Sequence, residues 1–187
     1  MGTGYHGGFG NTLGSTYGNS STSEESYGDR GIEIPDHLKS ALSKMERKGD
    51  YITTTDSNSF SMKDISIMSK EAGVEFAKVS INGKSYIIRG DKSGTVIPTS
   101  LMTKLKSGTG KLEFHSHPHN NDCVPSPSDM KLMKELHKRT GQRVSTIVTP
   151  NGRTSTFDEH GVISTGTVSN TIDKNLRDTY IKMFGGK

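Results

Sequence analysis

The alternation of helix-like and strand-like segments along this chain predicts an α/β or α+β domain with a mixed β-sheet. Two Asn-Gly pairs, at 82–83 and 151–152, each separate two β-rich runs. They predict hairpins, because both central residues of a type I′ turn need positive φ. The chain has 187 residues, of which about 150 follow a glycine-rich leader, and that is enough for one such domain.

Composition separates the leader from the folded domain. Residues 1–31 hold nine of the chain's 22 glycines together with many Ser, Thr and Tyr residues. Ordering this segment would cost conformational entropy that its few apolar side chains could not offset. We therefore predict a flexible Gly/Ser/Tyr-rich leader over residues 1–31 and a folded domain over residues 32–187.

Local signals define the elements in the first half of the domain. A helix is predicted over 36–48, where apolar residues recur at helical spacing and a glycine follows. Ser61-x-x-Asp64 matches a capping box, which predicts the start of a short helix. Strands are then predicted over 74–80 and 85–89, joined by the first Asn-Gly turn.

Six further elements complete the predicted domain. They are a short helix at 99–106, a strand at 111–117, a longer helix at 126–139, strands at 144–149 and 153–157, and a C-terminal helix at 169–184. The helix at 126–139 has the strongest signal, because apolar residues recur there at steps of three and four.

Charge and cysteine content exclude several classes of protein. The formal net charge is +4, from 24 basic and 20 acidic residues. The chain lacks the dense Lys/Arg stripe of a nucleic-acid-binding surface, so a nucleic-acid partner is not expected. Cys123 is the single cysteine, which rules out an internal disulfide. No apolar run reaches the length of a membrane span, so no membrane partner is expected.

The most informative pattern is a group of potential metal ligands. His115 and His117 lie two residues apart in the predicted strand, so both imidazoles should leave one face of it. Asp129 lies in the first turn of the following helix, where the helix dipole favours its charged form. Two imidazole nitrogens and one carboxylate oxygen are ligands that a catalytic Zn²⁺ prefers, with a fourth position left open.

A purely structural interpretation exists for part of this pattern. Ser126 at the N-cap, a proline at the first helical position and Asp129 at the third make an ordinary helix start. The two interpretations are compatible, because a capping carboxylate near a helix N-terminus is also in the ionised form that a metal needs.

The complete spacing resembles the JAMM metalloproteases, also called the JAB/MPN family. Their pattern is an upstream Glu, then His-Ser/Thr-His-Pro, seven residues, Ser, two residues and Asp, and residues 115–129 match it from the first His onward. The resemblance implies that His115, His117 and Asp129 bind Zn²⁺ and that Ser126 stabilises an oxyanion. It also implies a curved mixed sheet flanked by helices, as in the wider cytidine-deaminase-like group.

The upstream glutamate of that family, the general base, begins a strand and is soon followed by glycine. Glu71, which lies 44 residues before His115, is assigned this role by the resemblance. Glu75, which lies 40 residues before His115, is the alternative, and strand alternation does not separate the two because they share parity. Glu113 is either a hydrogen-bonding partner of an imidazole or an ordinary strand residue. Cys123 is either a fourth metal ligand that gates the site or a free thiol.

By resemblance, the chain is a zinc-dependent metallopeptidase that hydrolyses an amide or a Lys-linked isopeptide bond in a protein substrate, such as a ubiquitin-like conjugate. Its compact spacing and glycine-rich leader look like the JAB-type domains of bacterial polymorphic toxins. Those imply an immunity protein as partner, and either a bacterial cytoplasmic location or delivery without a signal peptide. A non-catalytic JAMM-like binding module and a nucleic-acid-associated relative are the alternative hypotheses.

Overall fold

A computed structural model of the chain describes residues 34–56 and 59–168. Its elements run in the order α1 (Asp36–Lys44), β1 (Tyr51–Thr54), α2 (Met62–Ala72), β2 (Phe76–Ile81), β3 (Lys84–Arg89), α3 (Thr99–Lys104), β4 (Gly110–Ser116), α4 (Pro127–Thr140), β5 (Ser145–Val148), β6 (Arg153–Asp158) and β7 (Gly161–Thr167). The predicted leader and the predicted C-terminal helix lie outside the described residues.

The described strands form one mixed sheet in the order β1-β3-β2-β4-β5-β6-β7. Strands β4 and β5 pair in parallel, whereas each of the other neighbouring pairs is antiparallel. Helices and strands alternate along the chain, so the predicted α/β class with a mixed sheet is confirmed. None of the helices in the described ranges is both long and apolar enough to cross a membrane.

Apolar side chains form one cluster on each face of the sheet. The cluster under α3 and α4 joins Leu101, Met133 and Leu136 to sheet residues such as Val79 and Ile147. The cluster under α1 and α2 joins helix residues to sheet residues on the opposite face, including Leu38, Ile65, Met68, Phe76 and Ile87. Because both faces are covered, strands β2 and β5 are buried at almost every position rather than at alternate ones.

Most of the locally signalled elements lie where the sequence predicts them. The first hairpin turns at Asn82 (φ 50°) and Gly83 (φ 76°), as the Asn-Gly pair requires. The predicted capping box at Ser61 is present at the start of α2. The predicted helix over 36–48 is too long, since α1 ends at Lys44. The Asp50 carboxylate accepts two backbone N–H groups just after that point, which favours a turn there.

Candidate metal centre

Strand β4 brings the two histidines of the motif together. His115 pairs with Ala77 of β2 on one side and with Ile147 of β5 on the other. The backbone N–H of His117, one residue past the strand, donates to the Val148 carbonyl at 3.0 Å. Both rings are buried, and their Nε2 atoms lie 3.2 Å apart. The pairing therefore aims both imidazoles at one point, as strand alternation predicts.

Asp129 reaches the same point from the first turn of α4. Its Oδ1 lies 3.4 Å from Nε2 of His115, and its Oδ2 lies 3.6 Å from Nε2 of His117. Oδ2 also accepts the backbone N–H of Ser126 at 2.8 Å and its hydroxyl at 2.6 Å, which completes a capping box. One carboxylate thus caps the helix and joins the cluster. The candidate ligand atoms of His115, His117 and Asp129 all lie within 4.8 Å of one another, so these residues could hold a metal ion.

The pKa shifts of Asp129 and His117 show that the cluster favours a positive charge next to the Asp129 carboxylate. Burial raises the pKa of Asp129, but hydrogen bonds from both histidines outweigh it and hold the pKa well below its usual range. Burial lowers the pKa of His117, but the hydrogen bond to Asp129 and the charges of Glu75 and Asp122 raise it to about 8. A proton on His117 and a cation would compete for the place beside Asp129, because an imidazole nitrogen must be unprotonated to bind a metal.

The outward nitrogen of His117 has its own partner. Nδ1 lies 3.0 Å from the Asp122 carbonyl and 3.3 Å from Oδ1 of the same residue. A carbonyl oxygen only accepts, so Nδ1 carries the proton and the Nε2 lone pair of the neutral ring faces the cluster. Metal-binding histidines in proteins are commonly oriented in this way. The sequence analysis did not identify Asp122, whose only signal is its place in the loop between the ligands.

The structure separates the two candidate general bases. Glu71 is the penultimate residue of α2 and is exposed, so the prediction that it begins a strand is wrong. Extending the Ala77–His115 register by two residues places Glu75 opposite His117. Glu75 is half-buried and lines the cleft that contains His117 and the capping end of α4. Its burial raises its pKa, against the opposing charges of the two histidines.

Gly73 explains why the sequence analysis favours Glu71 over Glu75 as the general base. The sequence analysis places the glycine two residues after Glu71 in a strand, but Gly73 is the C-cap of α2, with a φ of 62°. A left-handed residue at that place ends a helix and is most often glycine. Strand β2 begins three residues later, at Phe76, so Glu75 and not Glu71 lies at the entrance of a strand.

Ser116, the residue between the two histidines, holds the two parts of the site together. Its hydroxyl is fully buried, accepts the backbone N–H of Phe76 at 2.9 Å and lies 3.5 Å from the Phe76 carbonyl. Phe76 directly follows Glu75, so this contact fixes the strand that carries Glu75 against the strand that carries the histidines. The sequence analysis assigned Ser116 no role, although its place between two ligands was a usable signal.

A bulge in β4 overturns the prediction that Glu113 could partner an imidazole. The register between β2 and β4 shifts so that Leu112 packs in the cluster under α4, whereas Phe114 packs in the cluster under α2. Glu113 is the extra residue between them, so simple parity with His115 fails. Its carboxylate accepts a hydrogen bond from the hydroxyl of Ser80, 2.8 Å away, on the opposite face of the sheet.

Cys123 is a free thiol in the loop between β4 and α4, and its side chain is buried. It is buried in the cluster under α3 and α4, and its carbonyl accepts a hydrogen bond from the Ser155 hydroxyl. Burial raises the pKa of the Cys123 thiol, which disfavours the thiolate that a metal would bind. The ligand cluster found in the described part of the chain does not include Cys123.

A cleft of about 470 Å³ gives solvent access to the cluster. It lies between the loop that follows β3 and the loop that precedes α4, and its lining includes Glu75, Thr95, His117, Asp122, Val124 and Ser126. The cleft is lined by the half-buried carboxylate of Glu75 and by two members of the ligand cluster, His117 and Asp129. The arrangement could therefore bind a cation and a substrate side by side and could move a proton between Glu75 and the substrate.

Comparisons of the chain with protein-family models, curated proteins and solved structures find no match. The functional argument therefore rests on the donor atoms and their geometry. The cluster of His115, His117 and Asp129 at the cleft makes this a candidate metal centre.

Proposed function

We propose that this chain is a zinc-dependent hydrolase of amide bonds, with chemistry of the JAMM metallopeptidase type. The observation that carries the proposal is the convergence of His115, His117 and Asp129 at a cleft that also contains Glu75. Two imidazole nitrogens and one carboxylate oxygen match the donor set of catalytic zinc sites, which keep one position open. The spacing of residues 115–129, which resembles the JAMM pattern, supports the same assignment.

The proposed mechanism assigns the proton transfers to Glu75. A bound Zn²⁺ supplies Lewis-acid chemistry, because it polarises a carbonyl and makes water acidic enough to attack near neutral pH. Glu75 accepts the proton of the attacking water at a carboxylate oxygen and returns it to the leaving nitrogen. The carbon–nitrogen bond then breaks, and a carboxylic acid and an amine are formed. The raised pKa of Glu75 suits a group that must both accept and release a proton.

Ser126 is proposed to donate a hydrogen bond to the oxygen on which negative charge develops. Its hydroxyl donates to Asp129 Oδ2 at 2.6 Å and lies 2.8 Å from the Ser128 hydroxyl. The O–H group can turn about its carbon–oxygen bond, and the backbone N–H of Ser126 keeps the cap on Asp129 while it does so. The helix start therefore does not depend on the hydroxyl proton that catalysis would use.

We propose a protein as the substrate, cleaved at a peptide bond or at an isopeptide bond to a lysine side chain. The resemblance to JAMM enzymes supports this class. The cleft is also suited to it, because its wall carries the exposed apolar side chain of Val124 next to polar and charged groups. An extended segment with one apolar side chain could make both kinds of contact.

Two linked measurements test the proposal. Elemental analysis of the purified chain should give about one zinc per molecule, and Asp129→Ala should lose it. Proteomic detection of new termini and freed lysines, after incubation with a cell extract, should show cleavage by the wild type and none by Glu75→Gln. Glu75→Gln should retain the metal.

Glu71→Gln is the matched control for the general base. It changes an exposed glutamate four residues away on α2, so it should leave both metal content and cleavage intact. A wild-type protein that binds no divalent metal would refute the proposal, and so would full cleavage by Glu75→Gln.

A further inference from the structure

We infer that Thr95 is a positioning residue that orients the carboxylate of Glu75, and that the tight loop over residues 90–95 exists to hold it there. The inference rests on the proposed function in one respect, since it takes Glu75 to be the proton-transfer group. The loop follows β3 and forms one wall of the cleft, opposite the residues that precede α4.

Thr95 contacts the carboxylate of Glu75 directly. Its hydroxyl donates to Oε2 of Glu75 at 3.4 Å. This hydroxyl contact favours one direction for a side chain with three rotatable bonds.

The loop is also bonded to the backbone of Glu75 on both sides of the residue. The N–H of Glu75 donates to the Asp91 carbonyl at 3.0 Å, and the N–H of Gly90 donates to the Glu75 carbonyl at 2.8 Å. The backbone N–H of Asp91 in turn donates to the Gly94 carbonyl at 3.1 Å, which closes the loop on itself. The backbone that carries the carboxylate and the residue that contacts the carboxylate therefore belong to one hydrogen-bonded unit.

Close packing fixes Thr95 within this unit. A Cβ atom at Gly90 would lie 2.6 Å from the Gly94 carbonyl oxygen and 2.8 Å from the Thr95 hydroxyl oxygen. A side chain at position 90 would therefore push Thr95 away from Glu75. Gly94 has a φ of +152°, a conformation that L side chains rarely adopt. The loop is further anchored by an ion pair between Asp91 and Lys48, 2.8 Å apart.

The orientation of the Glu75 carboxylate matters because the rate of proton transfer depends steeply on geometry. A displacement of about 1 Å at a reacting group can cost roughly a hundredfold in rate. Glu75 lies one residue before β2 and lines the cleft, so a contact from a neighbouring residue is needed to restrain its side chain. A hydroxyl donor on the facing loop supplies that restraint without adding a charge to the cleft.

Thr95→Val and Thr95→Ser form a matched pair for the test, because valine keeps the shape and removes the hydroxyl while serine keeps the hydroxyl. The rotamer populations of the Glu75 side chain would be measured by NMR coupling constants in the full chain, with and without Zn²⁺. Zinc content and cleavage by the same samples would be measured in parallel.

We expect the wild type and Thr95→Ser to show one dominant Glu75 rotamer and Thr95→Val to show several. Zinc content should be unchanged throughout, and Thr95→Val should cleave roughly tenfold more slowly. An unchanged rotamer distribution in Thr95→Val overturns the inference, and so does a Thr95→Ser protein that behaves like Thr95→Val. If Glu75→Gln cleaves normally, the proposed function fails, while the rotamer measurement still decides whether Thr95 orients this carboxylate.

Discussion

Binding of a divalent cation to the His115–His117–Asp129 cluster should strengthen as the pH rises toward 8. His117 carries the competing proton. Burial lowers its pKa, but the hydrogen bond to Asp129 and the charges of Glu75 and Asp122 raise it to about 8. A cation and this proton exclude each other, because an imidazole nitrogen must be unprotonated to bind a metal.

Competition between the cation and one proton sets the size of the change in metal affinity with pH. With a pKa of about 8, half of the His117 rings are neutral at pH 8 and about one in a hundred at pH 6, so the affinity should fall about 50-fold between these values. A histidine with the ordinary pKa of 6.5 would lose only about fourfold over the same interval. Above pH 8 the curve should flatten, because the proton has already left.

The same proton gives the opposite trend in the stability of the metal-free protein. The pKa of His117 is about 8 when folded and 6.5 when unfolded, so the folded state binds the proton more tightly. This contribution to the unfolding free energy is complete below pH 6.5 and is lost as the pH rises through 8. The gap between the two values corresponds to about 2 kcal/mol, and the His117 side chain is only 5% exposed.

The two trends can be measured on one preparation. Zinc affinity would be obtained by competition with a fluorescent chelator between pH 6 and 8.5, and stability by urea unfolding in the presence of a strong chelator. His160→Gln is the matched control, because that histidine is 82% exposed, and it should keep both slopes. A zinc affinity that does not change between pH 6 and 8 would refute the reasoning, as would a metal-free protein whose stability rises over that interval.

Three further substitutions test separate parts of the structure. Cys123→Ser puts a hydroxyl into an apolar cluster and should lower the unfolding free energy by about 1–3 kcal/mol, with zinc content unchanged; loss of zinc would show that the thiol is a ligand. Ser116→Ala leaves the buried N–H of Phe76 without its acceptor and should cost about 1–3 kcal/mol in urea unfolding, with weaker zinc binding; unchanged stability would contradict the contact. Met133→Ala leaves a cavity at a fully buried position under α4 and should lower the unfolding free energy by about 2–5 kcal/mol. The folded variant should keep its zinc stoichiometry. A smaller loss of stability would mean that Met133 is not packed as described.

Features with local causes could be predicted from the sequence. The Asn82-Gly83 turn needs only positive φ at two adjacent residues, and both have it. Helix α4 begins after Ser126 and ends before Gly141, which takes the left-handed conformation of a C-cap. These signals act within a few residues and do not depend on which strands become neighbours.

Features set by pairing between distant strands could not be predicted. The position of Glu113 depends on a bulge between β2 and β4, and the sequence shows no sign of it. The choice between Glu71 and Glu75 depends on where α2 ends and β2 begins, and a glycine after the first of them is consistent with either boundary. The edge strands β1 and β7 were not predicted because their largely exposed sequences lack a buried apolar face.

The ligand cluster and the start of α4 are products of the same bonds. The backbone N–H and hydroxyl of Ser126 both donate to Oδ2 of Asp129, and this leaves Oδ1 pointing at His115. Once the helix has formed, the carboxylate needs no further ordering to bind a cation, and the entropy of its side chain has already been lost in folding. The capping signal at residues 126–129 therefore coincides with one part of the metal-binding signal, because the Asp129 carboxylate both caps the helix and is a candidate ligand. The helix-capping and metal-binding interpretations of Ser126 and Asp129 therefore describe the same contacts.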